Sequence, residues 1–326
     1  MADPFRWGIL GCGSIAKKFA TGLQALDDAE LVAVGSRSQE NADRFADEFG
    51  ADRRHTSYED LASDPDVDAI YVATPHPYHA ENSILCLKNK KPVLCEKPFT
   101  LNKRQAEEVV AVSRAENVFL MEAMWTRFLP LMVRVRELLG GDVIGDVRMV
   151  QADFGFRANV KPEGRLFNLA LGGGGLLDVG VYAVSFASMI LGSPSSIVSS
   201  AVIGETGVDE QAGIVFTYPD GQMAMLSCAV RTRTPHEATI MGTDGYIRLH
   251  SSFWNGTKGT LHRGNDVEEI DEPYPGNGYN LEAAEVARCV RAGKLESDVI
   301  PHDESIAIVG TLDDIRSQWS LKYPME

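Results

Sequence analysis

Phe5-Arg6-Trp7-Gly8-Ile9-Leu10-Gly11-Cys12-Gly13-Ser14-Ile15-Ala16 decides the fold of this 326-residue chain. Phe5 to Leu10 reads as a buried strand. The segment after it reads as a helix whose apolar residues Ile15, Phe19, Leu23 and Leu26 share one face. Gly11 permits the tight turn between them, Gly13 lets a pyrophosphate approach the backbone, and Ala16 is small enough for helix and strand to pack closely. A second strand, Leu31 to Val34, follows at the spacing of a dinucleotide-binding βαβ unit. The reading predicts a Rossmann domain with Gly11, Cys12, Gly13, Ser14 and Ile15 against the cofactor.

The end of that second strand sets the cofactor. An acid for the ribose hydroxyls is usual there, but the chain has Gly35-Ser36-Arg37-Ser38. Arg37 can pair with a 2′-phosphate and Ser36 and Ser38 can donate to it, so NADP(H) is expected over NAD(H). The plainer alternative is Ser38 capping the next helix beside a solvated Arg37. Phe45 and Phe49 mark the inner face of that helix, and Gly50 is a plausible stop.

Ala69 to Ala73 is a short strand ending in Thr74-Pro75-His76-Pro77-Tyr78-His79. Thr74, Pro75, His76 and His79 fall at a carboxyl end, where ligands of parallel sheets sit. A metal on the two histidines lacks a third ligand nearby, so contacts to the nicotinamide ribose or to a substrate hydroxyl are the better reading, with helix capping an alternative for His79. A helix from Ala80 to Lys90 and a strand from Pro92 to Cys95 lead to Glu96-Lys97-Pro98, which places Glu96 and Lys97 for chemistry. Leu101 to Glu116 reads as helix and Val118 to Met121 as strand. Glu122-Ala123-Met124-Trp125-Thr126-Arg127-Phe128 follows, where Trp125 suits an apolar pocket wall and Arg127 a donor fork. Packing between domains is an equal alternative for Trp125.

From Val147 the texture changes to longer alternating strands: Val147 to Phe154, Ser196 to Ile203, Ala212 to Tyr218 and Gln222 to Val230. The fold class is α/β, with a Rossmann domain over 1–122 and a substrate-binding and dimerisation domain over 123–326 built on a large, mainly antiparallel open sheet. The uncovered face of such a sheet predicts a homodimer. Gly172 to Gly175 precedes Leu176-Leu177-Asp178-Val179-Gly180-Val181-Tyr182. A helix there puts Asp178 and Tyr182 on one face, and the glycines let a backbone or cofactor come close.

A net charge of -15 disfavours nucleic acid and anionic membranes as partners. No apolar run reaches the roughly 20 residues that span a bilayer, and the first residues lack a signal-peptide pattern. A cytoplasmic enzyme is expected. Five scattered cysteines lack paired metal spacing, so buried thiols are expected rather than disulfides or zinc.

These motifs, in this order, resemble the glucose-fructose oxidoreductase/inositol dehydrogenase family and, within it, the branch of dimeric dihydrodiol and NADP-dependent D-xylose dehydrogenases. The resemblance implies catalytic roles for Lys97 and Tyr182 with Asp178 nearby. It also implies a pocket walled by Trp125, Phe154, Trp254 and Tyr279, and Arg165 near the cofactor. NADP+ would then accept a hydride from a sugar or cyclic diol while Tyr182 takes the hydroxyl proton and the Lys97 ammonium favours the tyrosinate. Their roles could be exchanged. The rival readings are a sugar ketoreductase using NADPH, possible on a nucleotide-linked sugar although no basic cluster for its diphosphate is evident, and a non-catalytic dinucleotide-sensing regulator.

Overall fold

The computed structural model describes residues 3–326, which form two compact units. One holds the chain up to Trp125 together with Pro275–Ile306, and the other holds Thr126–Tyr274 and Ala307–Glu326. A single cut after residue 122 does not contain the return of Pro275–Ile306 to the first unit.

In the first unit β1 (Phe5–Leu10), β2 (Ala29–Gly35), β3 (Arg53–His55), β4 (Ala69–Val72), β5 (Val93–Glu96) and β6 (Leu120–Ala123) make a six-stranded sheet in the order β3-β2-β1-β4-β5-β6. Every pair is parallel. This is the doubly wound order whose strand sequence reverses between β1 and β4, the place where such sheets bind nucleotides. The connecting helices are α1 (Ser14–Leu23), α2 (Gln39–Phe49), α3 (Tyr58–Ser63), α4 (His79–Lys88) and α5 (Lys103–Glu116).

Helix α1 buries Ala16, Phe19, Ala20 and Leu23, while Leu26 lies beyond its end. Gly50 ends α2 in the left-handed conformation, as its position predicts. Strand β6 starts later than the expected Val118, because Asn117 turns left-handed (φ 55°) and the Val118 N–H is taken by Ser113 O. On the α1 side of the sheet the Phe19 ring stacks on Tyr71 at 3.9 Å and meets Trp7 edge-on at 5.1 Å. Each such aromatic pair adds about 0.5–1.5 kcal/mol beyond its buried area.

In the second unit β7 (Val147–Gly155), β8 (Ser196–Ile203), β9 (Asp209–Thr217), β10 (Met223–Ala229), β11 (Ala238–Gly242), β12 (Gly245–Leu249), β13 (Lys258–Arg263) and β14 (Asp266–Asp271) form one sheet in the order β14-β13-β12-β11-β7-β10-β9-β8. Only β7 and β10 pair in parallel. Helix α6 (Pro130–Gly140) precedes this sheet, and α7 (Val181–Leu191) packs on β7 and β10. One row across the inner face, Phe216, Ala224, Val150, Ile240, Ile247 and Leu261, is buried throughout. The adjacent row on the other face runs Val198, Val215 and Met225, with Val198 68% exposed within the chain.

Helix α8 (Tyr279–Arg291) returns to the first unit and lies on α1, and α9 (His302–Ser317) follows. Gly22 allows the α1–α8 contact, since a Cβ there would be 3.0 Å from Asn280 N and 3.1 Å from the Tyr279 Cβ.

The helical run Leu169–Leu191 is long and apolar enough to cross a membrane, contrary to the sequence reading that no such run exists. The glycines and Asp178 mask it in the sequence. Some 72% of its most apolar window is buried inside the protein, which is the pattern of a core helix. All five cysteines are free; four are buried and Cys12 is half-buried.

Candidate active site

Gly11 leaves β1 with φ +99°, and a Cβ there would sit 3.0 Å from Ala73 O, so only glycine lets the turns after β1 and β4 approach this closely. A Cβ on Gly13 would meet nothing within 4 Å. Gly13 also starts α1 with no side-chain cap. The first N–H groups of α1 are therefore open to an anion, and the turn fits a pyrophosphate. Burial pushes the Cys12 thiol up to about 11, which leaves it unreactive beside Ser14 and Ile15.

At the end of β2, Ser38 caps α2 by accepting Asn41 N at 3.4 Å, and Ser36 Oγ accepts Ser38 N at 3.3 Å. The capping alternative for Ser38 is thus realised. Arg37 is exposed, with its guanidinium 5.8 Å from the Tyr78 ring centre. It lines a cleft of about 330 Å³ with Tyr58, Thr74, Pro75, Tyr78 and Asn82. Burial raises the pKa of the Tyr58 phenol, and the neighbouring Arg37 charge opposes that rise.

The loops after β4 and β5 are tied together by His79. Its ring is fully buried, with Nδ1 2.8 Å from Pro98 O and Nε2 2.8 Å from Thr74 O. Both ring nitrogens of His79 thus lie against backbone carbonyl oxygens. His76 is buried with its ring 5.6 Å from that of His79, and no His/Cys/Asp/Glu cluster able to hold a metal occurs among the described residues.

Glu96 also turns inward. Its Oε1 accepts the Tyr71 hydroxyl and its Oε2 accepts Lys97 N at 3.1 Å. Lys97 itself is half-buried at the carboxyl end of β5. A second carboxyl lies in this layer that the sequence reading missed. Glu282 of α8 is completely buried, and neither oxygen has a hydrogen-bond partner among the described residues. Burial first, and then the Glu96 charge, raise its pKa well above the ordinary range.

Trp125 and Tyr279, both in the first unit, stack at 4.7 Å with an 18° tilt. In the second unit Phe154 stacks on Trp254 at 3.3 Å and lies 5.6 Å from the Tyr182 ring. His236, which no sequence signal marked, stands edge-on to both Phe154 (5.4 Å) and Trp254 (4.8 Å). Thr126 Oγ1 holds this group by donating to Trp254 O at 3.0 Å.

Leu176–Gly180 is a wide, π-type turn that runs into α7. It carries Asp178 just ahead of Tyr182, which is 7% exposed. The Asp178 carboxylate pairs with Arg165 at 2.7 Å within the second unit. Arg127, read from the sequence as a donor fork, has partners in α7. It is 3% exposed, with Nε donating to Ser185 Oγ at 3.1 Å and Nη2 donating to Ser185 O at 2.8 Å, so it anchors the chain to α7.

Comparison with known proteins agrees with this construction. Residues 5–124 match the oxidoreductase family with an NAD-binding Rossmann fold, and residues 132–248 match the GFO/IDH/MocA C-terminal domain. The trans-1,2-dihydrobenzene-1,2-diol dehydrogenase of Mus musculus is 38% identical over 98% of each chain. Its counterpart from Xenopus tropicalis is 36% identical over 98% of this chain and 99% of its own. A 3-ketoreductase from Actinomadura kijaniata, solved with NADP and TDP-benzene, superposes with a TM-score of 0.86 at 27% identity, covering 97% of this chain and 98% of its own. Dinucleotide turn, sheet order and full-length similarity together make this chain a member of the GFO/IDH/MocA oxidoreductase family.

Proposed function

We propose that the protein is an NADP(H)-dependent dehydrogenase acting on the CH–OH group of a small cyclic diol or sugar, with trans-dihydrodiols and aldopyranoses such as D-xylose as the candidate substrates. The observation that carries this reading is the similarity, over 98% of each chain, to the mouse trans-1,2-dihydrobenzene-1,2-diol dehydrogenase. The open Gly13 backbone and the uncapped start of α1 hold the pyrophosphate, and Arg37, facing the cleft after β2, takes the 2′-phosphate. Bound there, the nicotinamide supplies the hydride acceptor.

Tyr182 takes the proton from the reacting hydroxyl, and Lys97 stabilises the charge that this leaves. Asp178, fixed by Arg165, orients the substrate. Phe154, Trp254, Trp125 and Tyr279 give the substrate apolar faces, with the Tyr279 hydroxyl adding a polar edge. Glu96, His79 and Arg127 act behind these groups by fixing the loops that carry them. The apolar row Val198, Val215 and Met225 supports a homodimer through the open sheet face. Five free thiols support a reducing, cytoplasmic setting.

A second reading, NADPH-dependent reduction of a nucleotide-linked keto sugar, is favoured by one feature. Arg157 and Arg231 are brought opposite each other by an antiparallel bridge that the sequence did not reveal, with Arg231 also donating to Ala158 O and lying 3.8 Å from Glu210. Incubation with NADP+ and a panel of trans-dihydrodiols, pentoses and hexoses, read as nicotinamide absorbance, tests the first reading. Turnover of a panel member supports it. Tight cofactor binding without turnover on any of them would point to the nucleotide-linked sugar or to a regulator.

A further inference from the structure

Asp209, the first residue of β9, is completely buried. Its Oδ2 accepts the Leu176 N–H at 2.6 Å, and the Gly175 N–H bonds to the same carboxylate. These groups open the helical run that passes through the wide turn Leu176–Gly180 into α7 and carries Asp178 and Tyr182. The glycine run makes the contact possible. Gly174 has φ +120°, and a Cβ there would lie 2.2 Å from Asp209 Oδ1. From the other side Tyr323 Oη donates to Gly173 O at 3.0 Å. The glycines therefore make room for a carboxylate of the chain itself.

Resting on the roles given above to Asp178 and Tyr182, we infer that Asp209 is a positioning residue of the reaction. As a carboxylate it pins the start of this helix and so fixes where Asp178 and Tyr182 stand; protonation loosens that hold. Wide turns of this kind inside helices are frequent at functional sites, and a charged acceptor holds helix N–H groups more strongly than a neutral one. The titratable groups facing Asp209 are Asp178 on the turn, Cys228 on β10 and Tyr323 near the carboxyl end. Burial, reinforced by the Asp178 charge and partly offset by the N–H groups, pushes the Asp209 carboxyl up to about 7. The change of hold thus falls within the working pH range.

The test uses wild type, Asp209→Asn and Tyr182→Phe with two measurements. These are kcat between pH 5.5 and 8.5 at saturating substrates, and hydrogen exchange of the Gly175 and Leu176 amides at pH 6 and 8, corrected for intrinsic exchange. Wild-type kcat should fall about tenfold as pH drops through 7, with amide protection falling in step. Asp209→Asn should stay low at every pH without a step, with the KM for NADP+ unchanged. Tyr182→Phe should lose turnover yet keep the step in amide protection. A wild-type pH profile in Asp209→Asn, or equal wild-type amide protection at both pH values, would overturn the inference. Should Asp209→Asn not fold, the wild-type amides decide alone. Full turnover in Tyr182→Phe would instead remove the catalytic reading, leaving the amides to decide whether Asp209 pins the helix.

Discussion

Arg165 Nη2 lies 2.7 Å from Asp178 Oδ1, so the acid on the wide turn is held by a cation from a segment only 13 residues earlier in the chain. The pair is partly exposed, and exposed pairs add little to stability. Its use is to fix a direction. Arg165→Met should therefore lower kcat by about ten- to a hundredfold while leaving the melting temperature within a degree or so. An unchanged kcat would mean that the Asp178 direction does not matter to turnover.

Arg37 should set the choice of cofactor. An arginine–phosphate contact contributes about 1.5–3 kcal/mol, so Arg37→Gln should weaken NADPH binding by about ten- to a hundredfold and leave NADH binding unchanged. Fluorescence titration with both cofactors gives the answer. Equal losses for the two would assign Arg37 to the shared part of the dinucleotide.

Glu282 makes stability fall toward alkaline pH. Its carboxyl is neutral in the folded chain far above the pH at which an unfolded glutamate ionises, about 4.3. The stabilisation is complete below that value and is lost as pH rises toward the raised folded value, at about 1.4 kcal/mol per pH unit. Glutamine does not ionise. The melting temperature of Glu282→Gln minus that of wild type should increase steadily from pH 5 to pH 8, whereas parallel curves would show that Glu282 titrates normally.

Asp64 acts at the opposite end of the scale. Burial raises its pKa, but hydrogen bonds from Arg53, the Asp66 N–H and His55 outweigh that and bring the carboxyl down to about 2. The stability it supplies is present above about pH 3.9 and is lost as pH falls through 2. At pH 7 Asp64→Asn should cost about 2 kcal/mol in denaturant unfolding, and the difference should shrink on approaching pH 2. The difference should hold steady down to about pH 5 and fall to roughly half by pH 3; a difference that stays constant from pH 7 to pH 3 would contradict this.

The first βαβ unit was legible because Gly11, Gly13 and Ala16 meet needs that few other residues meet. The carboxyl end of each strand was also legible, which is why Lys97 and Trp125 could be singled out, whereas Tyr182 rested on its spacing from Asp178, and Phe154, Trp254 and Tyr279 on the family resemblance. The direction of a side chain at such an end was not. Glu96, His79 and Arg127 look like ligand-facing groups in the sequence, which does not reveal the bonds each makes to a residue 25, 19 or 58 positions away. Glu282 and Asp209 carried no signal, since each is an acid in an ordinary local pattern whose burial is set by elements remote in the chain. The glycine run was noticed, and the structure supplies its reason: it is the seat of Asp209.

Hydride transfer in a single turnover, measured as nicotinamide absorbance with NADP+ and the best substrate of the panel, tests the central claim most directly when wild type is compared with Lys97→Met and Tyr182→Phe. Both variants should bind NADP+ with wild-type affinity and transfer hydride at least about a hundredfold more slowly. Transfer at the wild-type rate in either variant would contradict it.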